Sequence, residues 1–95
     1  MAKYKLTFCA KEDLRRIYLY GLENFGEQQA DKYKDKLVIC FNDIAKNPLM
    51  YPAANHIRKS YRRCVCGSDS IFYRLVGDDV VEIVAILSRQ DTENV

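Results

Sequence analysis

The chain has 95 residues, of which 48% are hydrophobic and 29% charged, a composition that excludes wholesale disorder and predicts a single domain over residues 1–95. Its 15 lysines and arginines and 13 acidic residues give a net charge of only +2, which argues against a protein whose main task is to grip phosphate backbones. We expect a cytoplasmic protein, because no apolar run approaches the roughly 20 residues of a membrane span and no apolar stretch follows the N-terminal lysines.

The first quarter of the chain changes from a strand pattern to a helix pattern. Residues 4–9 alternate apolar and polar side chains, which predicts a strand that continues past Phe8. Apolar residues then recur at three- and four-residue spacing, which predicts a helix with Asp13 in its first turn and Gly26 as its stop. The predicted inward stripe consists of Leu14, Ile17, Tyr18, Gly21, Leu22 and Phe25.

A second helix is predicted from about Glu27 to Lys46, where Asn47 and Pro48 end it. The break at Gly26 is so short that the two helices must form an antiparallel hairpin. Residues 48–59 show little periodicity and predict an irregular connection. The inward stripe of the second helix comprises Ala30, Tyr33, Leu37, Cys40, Phe41 and Ile44.

Three further strands are predicted at residues 60–66, 70–76 and 80–87, separated by short turns rich in glycine and aspartate that indicate antiparallel hairpins. The last strand is almost continuously apolar, so we expect it to be central and covered on both faces for much of its length. The order is β-α-α-β-β-β. This is an α+β fold with the helical hairpin packed on one face of an antiparallel-rich sheet.

Residue types that carry out catalysis are scarce in this chain. The only histidine, His56, lies in the irregular connection, where a solvated surface position is expected. Cys9, Cys40, Cys64 and Cys66 are expected to be reduced, buried thiols, and their spacing does not fit a structural zinc site. We therefore predict no metal site and no cofactor.

Positive charge is concentrated at residues 58–63, with Arg74 and Arg89 on neighbouring strands. Strand alternation places Arg62 on the same face as the cysteines of its strand and Arg63 on the other face. Such a surface fits a partner that carries carboxylates or phosphates. The alternative is that these arginines only keep an edge strand soluble and form ion pairs at its rim.

Leu19 and Tyr20 flank the apolar stripe of the first helix. They give the hairpin more apolar surface than one sheet face needs, and such a surplus can mark a partner groove. The alternative is that Leu19 packs beneath the connection at residues 48–59.

Several stretches together carry a family resemblance that covers nearly the whole chain in order and spacing. They are Ala10-x-x-Asp13-Leu14-x-x-Ile17-x-x-Tyr20, Phe25-Gly26-x-x-Gln29-Ala30-x-x-Tyr33, Asn47-Pro48, Tyr61-Arg62-Arg63, Gly67-Ser68-x-x-Ile71-Phe72-Tyr73-Arg74, and Val81-x-Ile83-x-x-Ile86-Leu87 followed by Asp91. The chain resembles the ParE branch of the RelE/ParE toxin superfamily, the toxin half of bacterial type II toxin–antitoxin operons. The resemblance implies the same β-α-α-β-β-β fold.

The superfamily contains two activities, and the resemblance favours one of them. RelE-like members cleave ribosome-bound mRNA with basic residues on the last three strands, followed by a tyrosine or histidine. Arg62 and Arg89 fit that set, but Cys64 and Ser70 occupy two of its other positions, and no tyrosine or histidine follows Tyr73. The resemblance therefore implies a poison of DNA gyrase that is not an enzyme.

The resemblance also implies partners and surfaces. We expect a hetero-oligomer with a cognate ParD-like antitoxin and an interaction with DNA gyrase, without sequence-specific nucleic-acid binding. The candidate toxic surface comprises Arg62, Arg74, Arg89 and Asp91, and the candidate antitoxin-binding residues are Leu19, Tyr20 and Arg63.

The fourth strand departs from the ParE pattern at its end. ParE-like chains commonly have arginine and histidine at positions that Ala85 and Ser88 occupy in this chain. Two alternatives to gyrase inhibition therefore remain open. One is a RelE-like ribonuclease, and the other is a degenerate toxin that only binds antitoxin.

Overall fold

Four strands and two helices follow one another in the predicted order over residues 3–55, 58–77 and 80–88, the part of the chain that the computed structural model describes. The elements are β1 (Lys3–Leu6), α1 (Phe8–Phe25), α2 (Glu27–Lys46), β2 (Arg62–Cys66), β3 (Asp69–Leu75) and β4 (Val80–Ser88). The sheet order is β1-β4-β3-β2, with β1 parallel to β4 and the other pairs antiparallel. The α+β prediction is confirmed, and β4 is central as expected.

The first helix begins earlier than the alternating pattern predicted. The Thr7 side chain accepts a hydrogen bond from the Ala10 backbone N–H at 3.1 Å and so caps the helix. The same hydroxyl donates to the Val84 carbonyl at 2.9 Å, which ties the cap to β4. The strand therefore ends at Leu6, and Phe8 is an exposed helical residue rather than part of the strand.

The helical hairpin turns at Gly26, as the sequence predicted. This residue has a φ of +86°, which L side chains rarely adopt, so glycine suits the turn. The predicted bounds of α2 are confirmed. The two helices approach each other closely at Gly21. A Cβ added at this position would lie only 3.2 Å from the Ala30 Cβ, so glycine allows the approach.

The core lies between the helical hairpin and one face of the sheet, which we call the inner face. Its buried members are Ala10, Leu37, Phe41, Ile44, Cys64, Cys66, Ile71, Tyr73, Val81, Ile83 and Ile86. In β4 the spacing of inward residues lengthens from two to three after Ile83. The register explains this, since Phe72 pairs with Ala85 and Tyr73 with Ile83, which leaves Val84 as a bulge.

Two residues that the sequence assigned to the core lie at the surface instead. Cys9 is exposed in the first turn of α1, a position set by the early start of that helix. Phe25 is exposed at the last position of the same helix. Cys64 and Cys66 are buried as expected, and Cys40 is half-buried. No helix within the described ranges is long and apolar enough to cross a membrane.

Candidate functional site

A groove of about 790 Å³ lies between the two helices and one end of the sheet. Its apolar lining includes Leu14, Ile17, Tyr20, Phe25 and Leu37. The cations Arg16 and Lys34 and the carboxylate of Asp69 also line it. The groove thus combines an apolar floor with two positive charges, which suits an amphipathic partner that carries carboxylates.

Leu19 and Tyr20 lie together on the exposed surface of α1. Leu19 is 46% exposed and Tyr20 is 61% exposed. The Tyr20 ring packs edge-on against the Phe25 ring, with the ring centroids 6.2 Å apart. Both residues line a shallower depression of about 370 Å³ that is formed by α1 alone, and Tyr20 also lines the groove. Because Leu19 keeps nearly half of its surface accessible, this arrangement favours a partner surface over burial beneath the 48–59 connection.

Asp13 anchors α1 to the central strand, a role that the sequence did not reveal. It lies in the second turn of α1 rather than the first, because the helix begins at Phe8. Its Oδ2 accepts a hydrogen bond from the Ile86 backbone N–H at 3.0 Å, just beyond the bulge in β4. The Arg16 guanidinium lies within 3.5 Å of the Ile86 carbonyl and 3.4 Å of Asp13 Oδ1. The pair therefore fixes the helix that carries Leu19 and Tyr20.

Tyr33 forms the wall of the groove at the turn between β2 and β3. Its hydroxyl donates to the buried Asp69 carboxylate and lies 3.2 Å from the Cys66 carbonyl oxygen. Burial, reinforced by the hydrogen bond to Asp69, raises the pKa of Tyr33 to about 12. Gly67 has a φ of +61°, and a Cβ there would lie 2.9 Å from the Tyr33 ring. Glycine at this position therefore lets α2 and the turn close together.

The two described arginines of the candidate toxic surface lie on opposite faces of the sheet. Arg62 pairs with Tyr73, whose side chain is in the core, so Arg62 belongs to the inner face. It lies at the sheet edge, where its Nη1 donates to the Tyr51 carbonyl at 2.6 Å. Arg74 follows Tyr73 on β3 and therefore lies on the other, outer face. A single arginine-bearing face that includes both residues is thus not formed; Arg89 and Asp91 lie outside the described residues.

The outer face of the sheet is basic. Arg74 Nε donates to Glu82 Oε1 at 2.8 Å, and Lys5 Nζ lies 3.8 Å from the other oxygen of Glu82. Arg63 shares this face, because it pairs with Phe72, two residues before Arg74. Its Nε donates to Ser70 Oγ at 2.9 Å. The antitoxin candidate Arg63 therefore lies across the sheet from the helices that carry the other two candidates.

No group of three or more His, Cys, Asp or Glu side chains within the described residues could hold a metal ion. His56 falls outside those residues. The described contacts of the site are apolar packing, hydrogen bonds and ion pairs.

Comparison with known proteins gives one consistent family. Residues 4–93 match the family model described as the ParE toxin of the type II toxin–antitoxin system parDE. The Toxin ParE1 of Caulobacter vibrioides is 39% identical over 89 residues, which cover 94% of this chain and 91% of that protein. The Toxin ParE1 of Mycobacterium tuberculosis is 29% identical over the same shares of the two chains. A solved structure titled as the chromosomal ParDE TA system from P. aeruginosa shares the fold, with a TM-score of 0.79 and 19% identity over 93% of this chain and 95% of that chain.

Proposed function

The chain belongs to the ParE toxin family of type II toxin–antitoxin systems, and from this membership we propose that it acts in the cytoplasm as a poison of DNA gyrase that a cognate antitoxin neutralises. The observation that carries the proposal is the family match over residues 4–93. The site supports this proposal, because its grooves and charged surfaces are suited to binding macromolecules such as an antitoxin and gyrase.

The antitoxin would occupy the groove between α1 and α2 together with the depression on α1, which Tyr20 joins to the groove. The occupant is the C-terminal segment of a ParD-like antitoxin, which in this family is disordered until it binds and then folds along the toxin. Exposed Leu19 and Tyr20 would bury apolar side chains of that segment. Arg16 and Lys34 in the groove lining would pair with its carboxylates.

Arg63 extends the proposed antitoxin contact to the opposite side of the domain. The domain measures 38 × 33 × 22 Å along its principal axes. An extended segment advances about 3.3 Å per residue, so roughly 10 residues reach across the intermediate dimension. A segment of at least that length, wrapped round the sheet edge, would contact both the helical hairpin and Arg63. Complex formation would give the expected hetero-oligomer.

The outer face is the stronger candidate for the gyrase contact. The Arg74 side chain is 49% exposed, and its carboxylate partner Glu82 also has Lys5 within 3.8 Å. Arg74 can therefore exchange its internal ion pair for a carboxylate of gyrase or a phosphate of the bound DNA, while Glu82 keeps a cation nearby. Bound in this way, the toxin would trap gyrase on DNA and block replication.

The burial of two residues argues against the ribonuclease alternative. Cleavage of RNA without a metal needs groups that activate the 2′-hydroxyl and stabilise the charge of the transition state. Cys64 and Ser70 occupy two positions of the nuclease set, and they are only 4% and 1% exposed. Side chains so enclosed cannot contact an mRNA backbone. We therefore assign no catalytic residue.

The decisive experiment is a gyrase supercoiling assay with purified toxin. Inhibition that is relieved by the cognate antitoxin supports the proposal, and expression without antitoxin should arrest growth and induce the DNA-damage response. Normal supercoiling at excess toxin, with a folded circular dichroism spectrum, contradicts it. Cleavage of ribosome-bound mRNA in place of gyrase inhibition would establish the ribonuclease. Tight antitoxin binding without growth arrest would establish the degenerate toxin.

A further inference from the structure

Three of the four cysteines meet where α2 packs against β2. The Cys40 thiol donates to Cys66 Sγ, and the two sulfur atoms are 2.8 Å apart. Cys64 lies on the same strand face as Cys66, also buried, and its thiol interacts with that of Cys40. The antitoxin and gyrase contacts proposed above use none of these thiols. The three thiols are therefore available for a role other than these contacts.

We propose that Cys40 and Cys66 form an oxidisable dithiol site, which hydrogen peroxide converts into an intramolecular disulfide that joins α2 to β2. A disulfide bond is about 2.05 Å long, so the two sulfurs need to approach by only about 0.8 Å. Both residues lie in regular elements packed on one core. The two sulfur atoms are thus already adjacent before the oxidant arrives.

The oxidation proceeds in two balanced steps. Cys40 sulfur attacks one oxygen of hydrogen peroxide and the O–O bond breaks, which leaves a sulfenic acid on Cys40 and releases one water that carries the thiol proton. Cys66 sulfur then attacks the Cys40 sulfur, the S–O bond breaks, and a second water leaves with the Cys66 proton. Two thiols and one peroxide become one disulfide and two waters. The peroxide takes up the two electrons.

Exposure decides which sulfur the peroxide meets first. Cys40 is half-buried, whereas Cys66 is 2% exposed. Burial raises the pKa of Cys66 to about 12 and that of Cys64 to about 11, so both stay protonated thiols at neutral pH. Attack on the oxidant therefore begins at Cys40. Cys66, the thiol in contact with it, completes the bond.

The bond closes a loop between positions 26 apart in the chain. Such a crosslink stabilises a protein mainly by restricting its unfolded state. For a loop of this length in a domain of this size, the melting temperature should rise by about 15 °C. Reduction with dithiothreitol should reverse the rise.

The test treats the folded protein with hydrogen peroxide and counts free thiols after denaturation. The count should fall from the four of the untreated protein to two, without a covalent dimer. Trypsin cuts after Lys36, Lys46, Arg63 and Arg74, so a disulfide-linked pair of peptides 37–46 and 64–74 should appear. Fragmentation of the linked pair should assign the bond to Cys66.

Matched variants distinguish the Cys40–Cys66 bond from other oxidation products. Cys64→Ala and Cys9→Ser should still lose two thiols, whereas Cys40→Ala should form no internal bond. A link from Cys40 to Cys64, a dimer through Cys9 as the main product, or four thiols after treatment would each overturn the proposal. If Cys40→Ala does not fold, the peptide map of the unaltered protein decides the matter by itself.

Discussion

Replacing Leu19 and Tyr20 together by serine should weaken antitoxin binding by about one to two powers of ten. Full burial of a large apolar side chain contributes roughly 1.5–3 kcal/mol. Because the two residues are 46% and 61% exposed in the free domain, a covering antitoxin would bury about half of each. Their joint contribution is then about 1.5–3 kcal/mol, and each 1.4 kcal/mol is about a tenfold change in affinity.

Calorimetric titration with the cognate antitoxin and thermal melts, both on the same variant, measure this effect. Ile39→Ser is the matched control, since Ile39 is a 60% exposed apolar residue of α2 that lines neither the groove nor the depression on α1. It should bind antitoxin with unchanged affinity. A double variant that melts much earlier yet binds as tightly per folded molecule would refute the reasoning. Equal weakening by Ile39→Ser would refute it as well.

Three further predictions test the anchor, the outer face and the groove wall. Asp13→Ala should destabilise the fold by about 1–3 kcal/mol in urea unfolding, because the buried Ile86 N–H loses its partner; unchanged stability would remove the anchoring role. Arg74→Ala should relieve gyrase inhibition while the exposed control Arg58→Ala retains it, and equal effects of the two would exclude the outer face. The folded state holds the pKa of Tyr33 near 12, whereas an unfolded tyrosine titrates near 10, so stability should fall as pH rises from 10 to 12. Tyr33→Phe should reduce that fall, and an identical pH profile would contradict the assignment.

The helical hairpin could be predicted from the sequence because its signals are local. Gly26 permits the turn, and Asn47-Pro48 ends the second helix, so the bounds of α2 needed no information from the rest of the chain. The start of α1 could not be predicted in the same way. The Thr7 hydroxyl that caps it also donates to Val84, 77 positions away, and the alternation through Phe8 looked like a continuing strand.

The placement of the arginines on the sheet was also determined partly by the sequence and partly by the tertiary structure. Strand alternation by itself determined that Arg62 and Arg63 lie on opposite faces, since the period of a strand is two. Only the pairing of Arg62 with Tyr73, and the packing of the helices on the side of Tyr73, decided that Arg62 and Arg74 face different sides. The approach of Cys40 to Cys66 was likewise decided by the packing of α2 on β2. Local patterns report dihedral preferences and periods, whereas the contacts between distant elements depend on how the whole core packs.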